Sequence, residues 1–259
     1  MNDDLVDSFR QRASDAGIFS DFDGTLSEIV HVPSAARPVP GVPELLARLA
    51  ARYALIAIVS GRSAGELLEW LGADVEIWGV HGAERTRDGR VELSERAAPH
   101  ADLMSKVLAD AREMVDALGI DGLIVEDKTV MLGLHFRATE DVEKARVMLD
   151  GIAGELAARY GLLRAGGRLA YELRPPVEFS KKQVVLDRAR AEGLGAVMFL
   201  GDDRVDLPAF DALDELATEG LVTVRVGVSS AEAPPELMER ADVLLDGPSA
   251  VVGFLEGLV

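Results

Sequence analysis

Ala54-Leu55-Ile56-Ala57-Ile58-Val59 is an unbroken apolar run. A strand with one wet face alternates apolar and polar residues, so a run that is apolar throughout belongs to a strand buried on both faces. Such strands are parallel, and parallel neighbours need long crossovers, usually helices. The flanking sequence supplies them. Helix patterns run from about Val42 to Tyr53, with Pro43 tolerated in the first turn, and from Ala64 to Leu71, stopped by Gly72. Gly17–Ser20 and Ala196–Leu200 are further mostly apolar runs of strand length, and Val222–Val226 reads as a further strand. The expected fold class is α/β, a Rossmann-like core whose parallel sheet is flanked by helices.

The ends of these runs carry the polar chemistry. Ile18-Phe19-Ser20 leads into Asp21-Phe22-Asp23-Gly24-Thr25-Leu26. In open α/β folds, ligands bind beyond the carboxyl ends of the strands. Two carboxylates there repel each other unless a cation lies between them. Mg²⁺ suits such a pair, because it takes oxygen ligands and is often shared with a phosphate. An aspartate can also accept a phosphoryl group as a nucleophile. A plain Asp-Gly turn is the competing reading of these residues. Val59 is followed by Ser60-Gly61-Arg62-Ser63 at a strand-to-helix turn, where a hydroxyl, backbone N–H groups and a helix N-terminus cradle phosphate. A simple N-cap serine is the alternative. Ser180-Lys181-Lys182-Gln183 opens a helix to about Gly193, and a lysine at 181 or 182 can sit beside the aspartates as a point charge. Leu200 is followed by Gly201-Asp202-Asp203-Arg204-Val205-Asp206, and three aspartates within one turn are poor structural choices without a nearby cation.

The remaining segments divide the chain. Leu5–Ala16 reads as a lead-in helix and Ser27–Pro40 as a Pro-rich connector. Val75–Trp78 is a short strand before Gly79-Val80-His81-Gly82-Ala83-Glu84, and Arg90–Leu93 follows a turn at Asp88-Gly89. From Pro99 the pattern becomes helix-strand-strand, twice: Ala101–Leu118, Leu123–Glu126, Val130–Arg137, then Thr139–Tyr160 with Thr139 as N-cap, Leu162–Arg164 and Arg168–Leu173. That order makes an antiparallel sheet with helices on one face, so residues 97–177 are expected to be an inserted α+β cap domain. Residues 1–96 and 178–259 then form the core. Leu207–Thr218 and Pro248–Leu258 read as helices, and Ala241–Leu245 as an edge strand.

Composition narrows the partners. With 27 Lys and Arg against 45 Asp and Glu, the net charge is −18, which argues against nucleic acid or an anionic membrane surface. The absence of cysteine excludes thiolate chemistry and disulfides. No apolar stretch reaches membrane-spanning length, and the acidic Met1-Asn2-Asp3-Asp4 start shows no secretory signal. A cytoplasmic monomer acting on a small molecule is the expectation.

Asp21/Asp23, Ser60, the lysine pair and Asp202–Asp206 follow the order of the four motifs of the haloacid dehalogenase (HAD) superfamily, whose members are mostly Mg²⁺-dependent phosphatases. The finer likeness is to trehalose-6-phosphate phosphatases. Asp21–Ser27 resembles their first motif and Ser60-Gly61-Arg62 their second. Gly79–Glu84 resembles their Gly-x-His-Gly-x-Glu segment, Glu126-Asp127-Lys128 their cap Glu-x-Lys, and Glu172-Leu173-Arg174-Pro175 the Glu-x-Arg-Pro before the third. Three positions depart from that pattern. Lys181-Lys182 stands where Lys-Gly is usual, with Lys181 aligning to the catalytic lysine, and Val205 and Leu207 replace Thr and Glu in the fourth motif.

The resemblance implies a HAD core with an inserted cap, hydrolysis of a sugar phosphate through an aspartyl-phosphate, and a set of roles. Asp21 is the nucleophile, Asp23 the general acid and base, and Ser60 and Lys181 hold the phosphoryl group. Mg²⁺ is held from Asp21, Asp23, Asp202, Asp203 and Asp206, where Asp203 or Asp206 supports rather than ligates. Thr25, Gly61, Arg62, His81, Gly82, Glu126, Lys128, Arg137, Glu172 and Arg174 are candidates for substrate binding. Other glycosyl phosphates (glucosylglycerol phosphate, mannosyl-phosphoglycerate, sucrose phosphate) and a non-catalytic HAD-fold module are the alternatives.

Overall fold

The computed structural model describes residues 3–30, 35–167, 169–230 and 233–259. In chain order the elements are α1 (Asp3–Gln11), β1 (Ala16–Ser20), α2 (Val42–Ala50), β2 (Leu55–Val59), α3 (Ala64–Leu71), β3 (Glu76–Gly79), β4 (Glu84–Arg87) and β5 (Arg90–Leu93). There follow α4 (Ala101–Asp116), β6 (Ile124–Asp127), β7 (Leu132–His135), α5 (Val142–Tyr160), β8 (Leu163–Gly167) and β9 (Ala170–Arg174). The chain closes with α6 (Lys181–Ala191), β10 (Ala196–Gly201), α7 (Leu207–Thr218), β11 (Val222–Ser229), α8 (Pro235–Arg240), β12 (Val243–Asp246) and α9 (Gly247–Glu256). Two compact units result, one from residues 1–92 with 179–259 and one from residues 93–178.

The first unit is an eight-stranded sheet in the order β12-β11-β10-β1-β2-β3-β4-β5. From β12 to β3 every pairing is parallel, and β4 runs antiparallel to β3. Both faces are covered, as the unbroken apolar runs require. Ile18, Ile56 and Ile58 pack with Leu46, Leu49, Leu67 and Val251 on one side. Phe19, Ala57, Val59 and Phe199 pack with Val185, Phe210 and Leu213 on the other. The register brings strand ends together. Ser20 lies level with Leu200 of β10 and Ile58 of β2, so Asp21, Asp202 and Ser60 emerge within a residue or two of one edge. Backbone bonds continue just past the strands, from the Asp21 N–H to Leu200 O (2.9 Å) and the Ser60 N–H to Trp78 O (2.9 Å).

The second unit is a four-stranded antiparallel sheet, β6-β7-β9-β8. Leu132, Leu134, Tyr171 and Leu173 are buried, with Met104, Val107, Leu149 and Leu156 of α4 and α5 forming the rest of its core. Glu126 is opposite Gly133, and Gly133 opposite Glu172. Directly opposed residues share a face, so these three lie side by side, away from the buried set.

Several boundaries differ from the sequence reading. The lead-in helix ends at Gln11, and Ala13–Asp15 forms a separate 3₁₀ turn. Helix α5 starts at Val142, not Thr139. The Thr139 hydroxyl donates back to Phe136 O (2.9 Å), and the Asp141 carboxylate caps the helix by accepting from the Lys144 N–H (2.9 Å). Helix α8 carries no matching expectation. Arg168, expected to open a strand, and His31–Ser34 of the Pro-rich connector lie outside the described residues, as do Met1 and Asn2. Among the described residues, no helix is long and apolar enough to cross a membrane.

Candidate active site

The strand ends of the first unit enclose a cavity of about 280 Å³ lined by Asp21, Asp23, Ile29, Ser60, Gly61, His81, Lys181, Asp202, Asp203 and Val205. Its floor is a buried triad. Lys181 Nζ lies 2.7 Å from Asp21 Oδ1 and 2.6 Å from Asp206 Oδ1, with all three side chains almost fully inaccessible. Ser180 caps α6, accepting from the Gln183 N–H (3.3 Å). The next residue, Lys181, thus points inward at the first helical position, while Lys182 turns out to Glu215 (3.3 Å).

Asp206 is fully committed. Besides Lys181 on Oδ1, its Oδ2 accepts the N–H groups of Asp202 (3.0 Å) and Asp203 (3.1 Å). It therefore anchors the turn that presents Asp202. Among the described residues Asp202 forms no ion pair, and the Thr25 hydroxyl donates to its Oδ1 at 3.4 Å. Burial and the neighbouring Asp21 and Asp206 charges push the Asp202 carboxyl up to about 8. Asp21 is pushed up to about 7, with burial the largest cause and Lys181 opposing it. Burial alone would lower Lys181, but Asp206 and Asp21 overcome it and raise the ammonium above its ordinary range, so it stays charged. One oxygen each from Asp21, Asp202 and Asp206 can be chosen within 4.8 Å of one another. Two of these carboxylates are reluctant to ionise together, and their donors are all oxygen. That set fits a hard divalent cation. Gly24 permits the close approach. It has φ +77°, and a Cβ there would run into the Asp202 carboxylate.

Asp23 stands apart from that cluster. Its carboxylate accepts a bidentate fork from Arg62, Nε to Oδ2 and Nη2 to Oδ1, both at 2.8 Å. Arg62 also reaches Glu66 (3.2 Å) and stacks over Trp70 and Phe22 with centroid distances of 5.2 and 5.7 Å. The fork is pre-organised by these planar contacts. The expectation that Arg62 meets substrate is revised accordingly, since its guanidinium is turned to Asp23 and it does not line the cavity. Replacing it tests this. Arg62→Lys removes the fork but keeps the charge, and kcat should fall about tenfold as Asp23 loses its fixed orientation, with KM nearly unchanged. A substrate-binding arginine would instead raise KM.

On the opposite wall, the Ser60 hydroxyl accepts from the Arg62 N–H (3.2 Å) and the residue is buried. His81 packs against Gly61 across a strained turn. Val80 and His81 have φ of 49° and 58°, and a β-branched residue there is a true outlier. Two bonds hold it: Val80 N–H to Arg62 O (2.8 Å) and His81 N–H to Ser60 O (2.9 Å). Strain of this kind gathers at functional sites, and here it aims an imidazole at the cavity.

Three further assignments change. Thr25 is completely buried and serves Asp202, so it is out of a substrate's reach. Gly82 is buried in the His81 turn and does not line the cavity. Asp203 lies outside the three-carboxylate cluster and caps the following turn, its side chain accepting from the Arg204 N–H (2.6 Å).

In the second unit, Lys128 Nζ bonds Glu172 Oε1 (2.8 Å) and approaches Glu126 Oε2 (3.6 Å). Arg174 donates to Val177 O (3.0 Å), and Arg137 is exposed just beyond β7. His135, which the sequence reading passed over, has its Nε2 2.7 Å from Glu126 Oε2. Sequence periodicity carries no signal for this pair, because Glu126 and His135 meet only through the register of β6 and β7.

Residues 19–238 match the model of the trehalose-phosphatase family. The chain belongs to that family. A relative named trehalose-phosphate phosphatase, from Mycolicibacterium paratuberculosis, is 35% identical over 251 residues, covering 93% of this chain and 61% of its own length. The chain therefore spans less than two thirds of the curated relatives it matches. A trehalose-6-phosphate phosphatase structure from Aspergillus fumigatus superimposes with a TM-score of 0.69 at 24% identity, over all of this chain and 97% of that one. A haloacid dehalogenase-like hydrolase from Bacteroides thetaiotaomicron gives 0.64 at 14% identity, over 94% and 99%. The chain thus has the HAD-type α/β fold that its sequence predicts.

Proposed function

We propose that this chain is a Mg²⁺-dependent phosphatase that hydrolyses trehalose 6-phosphate to trehalose and phosphate through an aspartyl-phosphate on Asp21. The observation that carries the reading is the buried Lys181, held between Asp21 and Asp206 at the floor of a cavity walled by Ser60. A module that only binds has no need to bury Lys181, Asp21 and Asp206 together. Family membership and the named relatives support the sugar phosphate as substrate.

Lys181 occupies Asp21 Oδ1 and fixes the rotation of that carboxylate toward the cavity. Asp21 attacks phosphorus in line with the sugar oxygen. Lys181 and the Ser60 hydroxyl supply fixed donors where charge builds on the phosphoryl group. Asp23 protonates the departing sugar oxygen and then takes a proton from the water that cleaves the aspartyl-phosphate. In the resting chain the Asp23 carboxyl is occupied by the Arg62 fork, so the first step requires that pair to open and Asp23 to carry a proton when the ester is bound. When bound, Mg²⁺ supplies neutralisation of the phosphoryl oxygens and helps align the ester. Asp21 and Asp202, with the backbone carbonyl of Asp23, would hold it, and Asp206 would orient the pair.

The second unit acts as a cap, presenting Glu126, Lys128 and Glu172 to the sugar. Hydroxyl-rich ligands are selected by sites whose buried polar groups are left unpaired with the wrong sugar. Glu126→Ala and Lys128→Ala should each raise KM for trehalose 6-phosphate and lower its kcat/KM more than that of an aryl phosphate. Equal losses on both esters would remove the recognition role.

Metal binding carries a pH signature. Asp21 and Asp202 hold their protons well above the ordinary carboxylate range, and a metal needs both ionised. Apparent Mg²⁺ affinity should therefore climb as pH rises from 6 through about 8, with protons released. Calorimetry in buffers of different ionisation enthalpy reads that release. A pH-independent affinity would show that these carboxylates are not the ligands. For the intermediate, acid quenching during turnover of ³²P-labelled ester should trap hydroxylamine-labile label on the protein. Its absence under conditions where phosphate is produced would overturn covalent catalysis.

A further inference from the structure

We infer that His135 is a positioning residue for sugar recognition, and that position 133 is glycine so that His135 can reach Glu126 across the sheet. The inference rests on the reading that this sheet face meets the sugar. Glu126 ends a long side chain that is 45% exposed. Left alone, it would sample several rotamers, and ordering it would weigh against ligand binding. His135 Nε2 sits 2.7 Å from Glu126 Oε2. Lys128 Nζ approaches the same oxygen at 3.6 Å and bonds Glu172 Oε1 at 2.8 Å. The four side chains form one continuous row: His135, Glu126, Lys128, Glu172. Both contacts to Glu126 use Oε2, and among the described residues Oε1 is left to accept a ligand hydroxyl.

Gly133 is the centre of this arrangement. It lies between Glu126 and Glu172 in register. A Cβ at 133 would come within 2.7 Å of His135 Nε2 and 3.1 Å of Glu126 Oε2. The imidazole–carboxylate pair thus lies directly over the glycine, and any side chain there would part it. Gly133 costs the strand some stability, since glycine in a strand interior is entropically unfavourable. A site where another group must approach the backbone closely is the usual reason to find one. His135 is 34% exposed, so it is not filling the core of the unit.

The test uses the whole chain with Mg²⁺ and four proteins: wild type, His135→Ala, His135→Gln and Gly133→Ala. KM and kcat are measured for trehalose 6-phosphate and for p-nitrophenyl phosphate, with Ki for trehalose as product inhibitor. His135→Ala and Gly133→Ala should each raise KM for the sugar ester and Ki for trehalose about tenfold. The kcat for the sugar ester should fall much less, and the ratio of its kcat/KM to that of the aryl ester should drop. His135→Gln should recover most of the loss, because its amide can still donate to the carboxylate. An unchanged KM and Ki in a folded His135→Ala protein would overturn the inference, as would equal losses on both esters. If His135→Ala does not fold, the Gln and Gly133 variants decide on the same readings. A wild-type protein that hydrolyses the aryl ester and ignores trehalose 6-phosphate would overturn the underlying substrate reading, and this inference with it.

Discussion

Asp21→Asn is expected to abolish turnover, by about 10⁴-fold or more, the scale on which enzymes lose rate when a covalent nucleophile is removed. The fold should survive. Asparagine has the same shape, and its carbonyl can still accept from Lys181. The substitution also removes one of the two carboxylates that burial holds partly protonated. The metal-free protein should therefore melt at or above the wild-type temperature near pH 8, while the stabilisation given by Mg²⁺ is largely lost. Phosphate-release kinetics with thermal melts, with and without Mg²⁺, read all three. Turnover near wild type in the variant would refute the nucleophile assignment.

Lys181→Met should cost both activity and stability. The ammonium is the cation between Asp21 and Asp206, and removing one partner of a buried ion cluster is destabilising by about 3–5 kcal/mol. For a chain of this size that is a fall in Tm of roughly 6–20 °C. The pH dependence has a definite sign. In wild type, Asp21 and Asp202 bind protons more tightly folded than unfolded, so the stability linked to them is fully present below about pH 4 and is lost as pH rises through 7 to 8. Without Lys181, Asp21 holds its proton to still higher pH. At pH 6 it is neutral, and the penalty of the variant shrinks. The Tm gap between wild type and Lys181→Met should be wide at pH 8 and narrow at pH 6. A gap that does not change with pH would show that the loss comes from packing and not from unpaired charge.

The strand ends were the legible part of this chain. Ile18–Phe19, Ala54–Val59 and Ala196–Leu200 are apolar throughout, and a parallel sheet covered on both sides follows from that pattern. Once those strands are parallel and adjacent, Asp21, Ser60 and Asp202 must meet, whatever lies between them in sequence. Side-chain commitments were not legible in the same way. Arg62 could as well face a phosphate as Asp23, and its stacking on Phe22 and Trp70 together with its bond to Glu66 sets its direction. Asp203 and Asp206 are chemically identical in sequence. The one whose two oxygens are consumed by Lys181 and by two backbone N–H groups is identified by the phase of a tight turn. Thr25 is a substrate-binding candidate through the family's first motif, yet its side chain is buried and donates to Asp202. His135 escaped notice because its partner, Glu126, is on another strand, and cross-strand neighbours depend on a register that periodicity does not reveal.

The central claim is tested most directly by phosphate release from the purified chain with Mg²⁺. The panel is trehalose 6-phosphate, glucose 6-phosphate, sucrose 6-phosphate, glucosylglycerol phosphate and an aryl phosphate. The expected result is a kcat/KM for trehalose 6-phosphate about a hundredfold above the others, equivalent to about 2.7 kcal/mol of transition-state discrimination. Comparable rates on every ester would contradict the substrate assignment, and no release from any of them, with Mg²⁺ shown to bind, would contradict catalysis itself.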